Sequence, residues 1–179
     1  MSKSDGGGLA QLAGTVAPRV LLDAIETSQL LSDLGVPHAL VGGLAVGLHG
    51  HPRATKDVDF MVSEEAFETT EPLLTYRPEL ADAVTVGEVD LLAVPPGRPA
   101  LRDALELPSS GAVPVIDVRG LVLMKLDAGR PQDIADVHAL LDAGASADAV
   151  GAYLVAAAPD LADRFAAPLD ERDTGSPRR

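Results

Sequence analysis

With 179 residues and no cysteine, the chain is long enough for one domain with a real hydrophobic core, and it excludes disulfides and thiolate metal sites. Hydrophobic residues make up 46% and aromatics 3%, so the core is built from Ala, Val and Leu. No apolar run approaches the roughly 18 residues of a membrane span, and the opening MSKSDGGGLAQLAG lacks the apolar segment of a signal peptide, so a cytoplasmic protein is expected. A net charge of −13, from 27 acidic and 14 basic residues, argues against an extended nucleic-acid-binding surface and leaves oxygen-ligand metals open.

Residues 1–17, with three glycines in a row, read as a flexible N-terminus. Pro18 suits a first helical turn. Val20, Leu21, Ala24, Ile25, Leu31 and Leu34 then recur at helical spacing, with Gly35 as the stop. Residues 38–42 read as a short buried strand, Gly42 and Gly43 as a turn, 44–50 as a short helix, and 56–62 as a second strand. Ser63 is placed to cap a helix whose first turn holds Glu64 and Glu65, and whose one side holds Phe67, Thr70, Glu71 and Leu74. The run 83–94 predicts two strands about a Gly87-Glu88 turn, and 113–116 a further strand. Asp117 is placed to cap a helix stopped by Gly129. Pro131 opens another that ends before Gly144, and a last helix covers 147–157. The whole predicts an α+β fold: a small mixed sheet flanked by helices, with a helical C-terminal part. A single domain is expected over 18–158, with a disordered polar tail over 159–179.

The chemistry gathers in HALVGGLAVGLHGHPRATKDVDFMV, residues 38–62. Alternate side chains of a strand share a face, so Asp57 and Asp59 stand on one side, roughly 7 Å apart, with Arg53 and Thr55 in line before them. Val58, Phe60 and Val62 fall on the opposite, core-facing side. Two carboxylates that close repel unless a cation or proton lies between them, and a pair of divalent ions is one solution. An isolated D-x-D also fits a solvated edge strand. The glycine pair lets a phosphate approach the backbone, although a plain tight turn explains it equally well. Asp90, within the apolar VDLLAV, offers a third carboxylate, and three aspartates on adjacent strands suit two Mg²⁺ ions, the shell completed by triphosphate oxygens. His49 and His51 read as loop residues, His38 and His138 as structural ones.

These residues resemble the nucleotidyltransferase fold superfamily, the DNA polymerase beta-like group. Its signature is a Gly-Gly or Gly-Ser pair, a short helix, then D-x-D on a strand, with a third carboxylate on a later strand. The form HGHPRATKDVDF is similar to the abortive-infection and toxin–antitoxin branch of small bacterial nucleotidyltransferases. LVLMKLDAGRPQDIADVHALL, residues 121–141, is similar to that branch's helical motif, in which a Lys, an Arg and a D-x-x-D follow in order, here Lys125, Arg130, Asp133 and Asp136. The resemblance covers about residues 18–142. Gly43 is a departure, because many members carry Ser there.

The resemblance implies an Mg²⁺-dependent nucleotidyltransferase, with two ions, or Mn²⁺ in their place, on Asp57, Asp59 and Asp90. Gly42, Gly43, Arg53, Thr55, Lys56, Lys125, Arg130 and Asp133 are the expected nucleotide-binding residues, and Lys125 also joins the catalytic set. The implied acceptor of the NTP's NMP group is a hydroxyl of tRNA or of a partner protein, in the setting of a cognate toxin or antitoxin. An aminoglycoside-type small molecule is an alternative acceptor, to which an acidic cleft is suited. A binding module of the same fold, holding nucleotide or a partner protein without chemistry, is a further alternative. From the residues alone, Lys125 also reads as a lysine whose stem covers apolar surface.

Overall fold

The computed structural model describes residues 8–70, 73–76, 89–105 and 112–174. It divides into two units, Met1–Leu48 with Pro52–Ile116, and His49–His51 with Asp117–Arg179.

The first unit is organised by a mixed three-stranded sheet in which Val58–Val62 lies between His38–Leu40 and Val89–Ala93. Helix α1, Pro18–Asp33, starts on a proline at its first turn and leads to β1, His38–Leu40. Gly35 at φ +68 ends α1, and the Val36 amide returns to the Leu31 carbonyl at 2.9 Å, a glycine C-cap closed by the next residue. Helix α2, Gly42–Leu48, follows β1 directly, and β2 is Val58–Val62. β1 and β2 are antiparallel, with Ala39 opposite Met61. After β2 come the hairpin strands β3, Phe67–Thr70, and β4, Leu73–Tyr76, which form a separate two-stranded sheet. β5, Val89–Ala93, lies parallel to β2, as a strand reached by a long crossover does. Helix α3, Pro99–Leu105, follows. On the far side of β1, Leu40 bridges Val115 in parallel, so the strand expected at 113–116 is a single bridge.

The core of this unit explains the alternation in β2. Val58, Phe60 and Val62 are fully buried, and they join Val89 and Leu91 of β5 with Leu31, Leu40 and Leu44. Two expectations differ here. Residues 9–16 are packed, not loose: a 3-10 turn over Leu9–Leu12 buries Leu9 and Leu12, and Val16 is buried after it. The helix expected after Ser63 is a 3-10 turn, Glu64–Ala66, leading into β3. Phe67, Thr69, Thr70, Thr75 and Tyr76 favour extended backbone, and Pro72 removes an amide that a helix needs. The predicted Gly87-Glu88 turn lies outside the described residues.

The second unit is helical: α4, Val118–Ala128, α5, Pro131–Asp142, α6, Ala147–Ala157, and α7, Pro159–Thr174. The Asp117 carboxylate accepts the amides of Arg119 and Gly120 at 2.9 Å, capping α4, and Gly129 ends it at φ +64. α4 packs against α5, α6 and α7, and its buried positions run nearly round the helix. The tail expected to be disordered from residue 159 is helical through Thr174, because Leu161 and Phe165 give it an apolar side to bury. Among the described residues, no helix is long and apolar enough to cross a membrane.

Candidate functional site

The glycine pair and the acidic strand meet inside the first unit. The Val41 amide donates to the Asp59 carbonyl at 2.8 Å, which carries the β1–β2 pairing to the edge of the glycine turn. Gly42 then turns at φ +62, a region that side chains disfavour. A β-carbon there would lie 2.6 Å from the Asp59 Cγ, so the Asp59 carboxylate fills the space that Gly42 leaves. Position 42 therefore requires glycine twice, for its φ and for Asp59.

Gly43 is flanked differently. A β-carbon on it would lie 3.0 Å from Thr55 Oγ1, 3.2 Å from Thr55 Cβ and 3.5 Å from Arg53 Nη2. Residues 52–57 form no regular strand, which begins at Val58 and not at 56. Freed from a ladder, this segment lays Arg53 and Thr55 against the turn. Both are partly buried, whereas Lys56 and Asp57 are exposed.

The third carboxylate falls beside the second. In the parallel pairing of β2 and β5, Asp59 is the register partner of Asp90. Register partners on neighbouring strands point to the same face, so Asp59 and Asp90 look out together, opposite the core-facing Val58, Phe60, Val89 and Leu91. Asp57 stands just before β2. Carboxylate oxygens are ligands for hard divalent cations. Among the described residues, no three acidic or histidine side chains are gathered tightly enough to cage a metal. A pair of carboxylates without a protein cage still suits Mg²⁺, which commonly takes one or two carboxylates and completes its shell with water and phosphate oxygens.

The second motif is assembled within the helical unit. Lys125 on α4 is 7% exposed, and its Nζ lies 2.9 Å from Asp133 Oδ1 and 2.9 Å from Asp136 Oδ2 on α5. The spacing of three puts both carboxylates on one helix face, which one ammonium spans. Asp133 Oδ2 also accepts from Arg130 Nε at 2.6 Å and from the Arg130 amide at 3.3 Å, so an acid at the third helical position caps the start of α5. Asp136 Oδ1 accepts from Gln132 Nε2 at 3.0 Å. Burial works against the charge of Asp133, but hydrogen bonds from Arg130 and Lys125 outweigh it and hold the carboxyl below its ordinary range. The four residues of this motif are thus brought together with one another. His49 and His51 belong to this unit, on either side of Gly50 at φ +105.

Two further groupings carry no local sequence signal. His38 is buried, with Nδ1 2.8 Å from the Val36 carbonyl and Nε2 2.8 Å from Ser28 Oγ, and its ring stands edge-on to Phe60. Arg102 on α3 pairs with Glu64 at 3.1 Å, 38 residues earlier in the chain.

No family model matches the chain, and no curated protein matches it. Among solved structures, that of an antigenic nucleotidyltransferase-like protein from Paracoccidioides brasiliensis is similar, at 17% identity and a TM-score of 0.43, over 84% of this chain and 94% of that one. A likeness at that level carries no argument about activity.

Proposed function

We propose that the chain is a nucleotidyltransferase that moves an NMP group from an NTP to an acceptor hydroxyl. The observation that carries this reading is the pairing of Asp59 with Asp90 beside a turn whose Gly42 leaves room only for the Asp59 carboxylate. Two like charges opposite each other on neighbouring strands cost stability. A cation shared with a polyphosphate turns that cost into a binding site.

In this reading the phosphates lie along the Gly42-Gly43 turn, which Asp59 flanks at Gly42 and Arg53 and Thr55 flank at Gly43. Arg53 and Lys56 offset the charge that develops on the α-phosphate oxygens. Asp59 and Asp90, with Asp57, would hold Mg²⁺, which when bound would supply activation of the attacking hydroxyl and stabilisation of the departing pyrophosphate. Asp90, exposed at the start of β5, takes the proton of the acceptor hydroxyl on a carboxylate oxygen as the hydroxyl oxygen bonds to the α-phosphorus and the bond to pyrophosphate breaks. Lys125 and Asp133 are already engaged with each other inside the helical unit, and we assign them no phosphate contact.

The acceptor follows from the resemblance and from charge. A tRNA or partner-protein hydroxyl in a toxin–antitoxin setting is the first choice. The net charge of −13 favours an acceptor met over a small footprint. The test is incubation with each α-labelled NTP and Mg²⁺ in the presence of total tRNA, cell protein or an aminoglycoside. Label transfer with pyrophosphate release supports the reading and names the acceptor. Magnesium-dependent NTP binding without transfer to any of these would leave a nucleotide-binding module and end the enzymatic proposal.

A further inference from the structure

We infer that the outer face of α1 is a docking surface for a basic amphipathic helix of another protein, which seats its apolar side on Leu22 and Ile25 and sets lysine or arginine opposite Glu26 and Asp33.

Helix α1 carries two seams. Val20, Ala24, Thr27 and Leu31 follow one another at intervals of four, three and four; all four are buried, and α1 packs there against β1 and β2. Pro18, Leu22, Ile25 and Gln29 repeat the same intervals on the opposite side, and all four are exposed. Intervals of four and three are those at which one helix interlocks with another. The first seam is satisfied by the sheet of its own unit. The second leaves Leu22 56% and Ile25 42% exposed. Among the described residues four large apolar side chains are exposed, and these two stand one turn apart. A lone exposed apolar side chain is ordinary, whereas neighbours in register on an open seam form a surface that association covers.

The charges beside the seam select the occupant. Glu26 and Asp33 follow Leu22 by four and eleven residues, so both border the seam on its Leu22 side. Arg19 is the only basic residue of α1, and Asp23 engages it at 3.7 Å. Gln29 donates to Asp33 at 3.0 Å, which leaves the charge of Asp33 in place. An apolar strip with an acidic border complements an apolar strip with a basic one. A second copy of the chain fits less well, because it brings the same net charge of −13. Size points the same way. A helix of 16 residues offers a face of about 24 by 10 Å, well short of the roughly 800 Å² that each partner of a stable globular pair buries. That face suits a single helix.

The experiment uses two labelled synthetic helices of equal length, both with leucine at intervals of three and four, one flanked by lysine and the other by glutamate. Binding to the full chain is read by fluorescence anisotropy in physiological salt. The lysine helix is expected to bind wild type and the glutamate helix not to. Leu22→Gln with Ile25→Gln, which leaves every charge in place, is expected to weaken binding of the lysine helix by about tenfold or more, and Glu26→Lys to weaken it as well. Both variants should melt with wild type, since neither touches the core. Equal binding of the lysine helix by the glutamine double variant would reduce the effect to general attraction by an acidic protein and overturn the docking face. Failure of wild type to bind the lysine helix, or equal binding of the glutamate helix, would overturn it too. A double variant that melts well below wild type would assign Leu22 and Ile25 to the fold instead. Sedimentation of wild type as a dimer that the double variant abolishes would assign the face to a second copy and reject the basic partner.

Discussion

Lys125→Met tests how the helical unit is held together. Methionine keeps an unbranched stem and removes the ammonium that lies 2.9 Å from Asp133 Oδ1 and 2.9 Å from Asp136 Oδ2. The lysine side chain is 9% exposed and the two carboxylates 2% and 1%, so water does not reach the gap without parting α4 from α5. Removing one partner of a buried pair costs about 3–5 kcal/mol, because the other charge stays buried. Arg130 Nε still reaches Asp133 and Gln132 Nε2 still reaches Asp136, which places the expectation at the lower end. About 3 kcal/mol corresponds to about 6–12 °C in Tm for a chain of this length. The exposed pair Arg102–Glu64, at 56% and 73%, is the control. Its loss in Arg102→Met is worth about 0–1 kcal/mol.

The pH dependence sharpens the test. Asp133 has its carboxyl lowered from the ordinary 3.8, burial opposing its charge and the bonds from Arg130 and Lys125 prevailing. A depressed folded pKa means that the stability is present above the unfolded value and is lost as pH falls through the folded one, in the acid range below about pH 4. Without Lys125 the depression weakens, and protonation at pH 4 relieves the buried charges. The thermal deficit of the variant is therefore widest near pH 7 and narrows toward pH 4. A variant that melts with wild type at pH 7, or a deficit equal at both pH values, refutes the buried-pair account. Lost activity in Lys125→Met points to a phosphate contact only if its Tm is unchanged.

Gly42→Ala combines φ +62 with a collision against Asp59, whereas Gly97→Ala, at φ +80 with nothing within 4 Å, meets backbone strain alone. The strain is roughly 1–2 kcal/mol in both, so Gly42→Ala should melt below Gly97→Ala, and equal melting would deny the close approach. Asp90→Asn relieves the like-charge pairing with Asp59. It should leave the apo protein as stable or more so by up to about 1 kcal/mol, while removing the Tm gain from Mg²⁺ with NTP; an undiminished gain takes Asp90 out of the metal site. His38 has its pKa lowered from 6.5 because burial disfavours the imidazolium, the Val36 carbonyl opposing. Stability should therefore fall as pH drops below about 6.5, where the unfolded imidazole takes up its proton. Between pH 7 and pH 5 the Tm of wild type should drop by more than that of His38→Gln; parallel drops would clear His38 of the effect.

The sequence disclosed what local rules govern. The alternation of Val58, Phe60 and Val62 against Asp59 named the core face of β2, and the core confirms it. Asp117, Gly129 and Pro131 marked the ends of α4 and α5, because caps and breakers act within one turn. The helix read after Ser63 failed because a capping serine and two glutamates start a 3-10 turn as readily as a helix, and the β-preference of the next residues decides. The tail failed for a related reason: its polar composition hid Leu161 and Phe165, which bury where a helix places them four apart. Of the candidate site, the glycine pair and the D-x-D were legible as a pattern. The register of Asp59 with Asp90 was not, because it is set by a parallel crossover of more than twenty residues.

The acidic pairs of the two units stand in different surroundings. Asp133 and Asp136 lie three apart with one lysine spanning them, and a second cation reaches the first. Each added contact there lowers the free energy of the folded chain, so the cluster needs nothing from outside. Asp59 and Asp90 are set opposite each other by the strand register, and like charges so placed repel. Glycine at 42 keeps Asp59 in place where any side chain would displace it. In the proposed reading, two carboxylates set opposite each other beside a glycine turn suit a cation that arrives with its ligand. The D-x-x-D of the helix is engaged within its own unit by Lys125 and Arg130, and Asp59 and Asp90 are the pair on which a loss of function should be sought first.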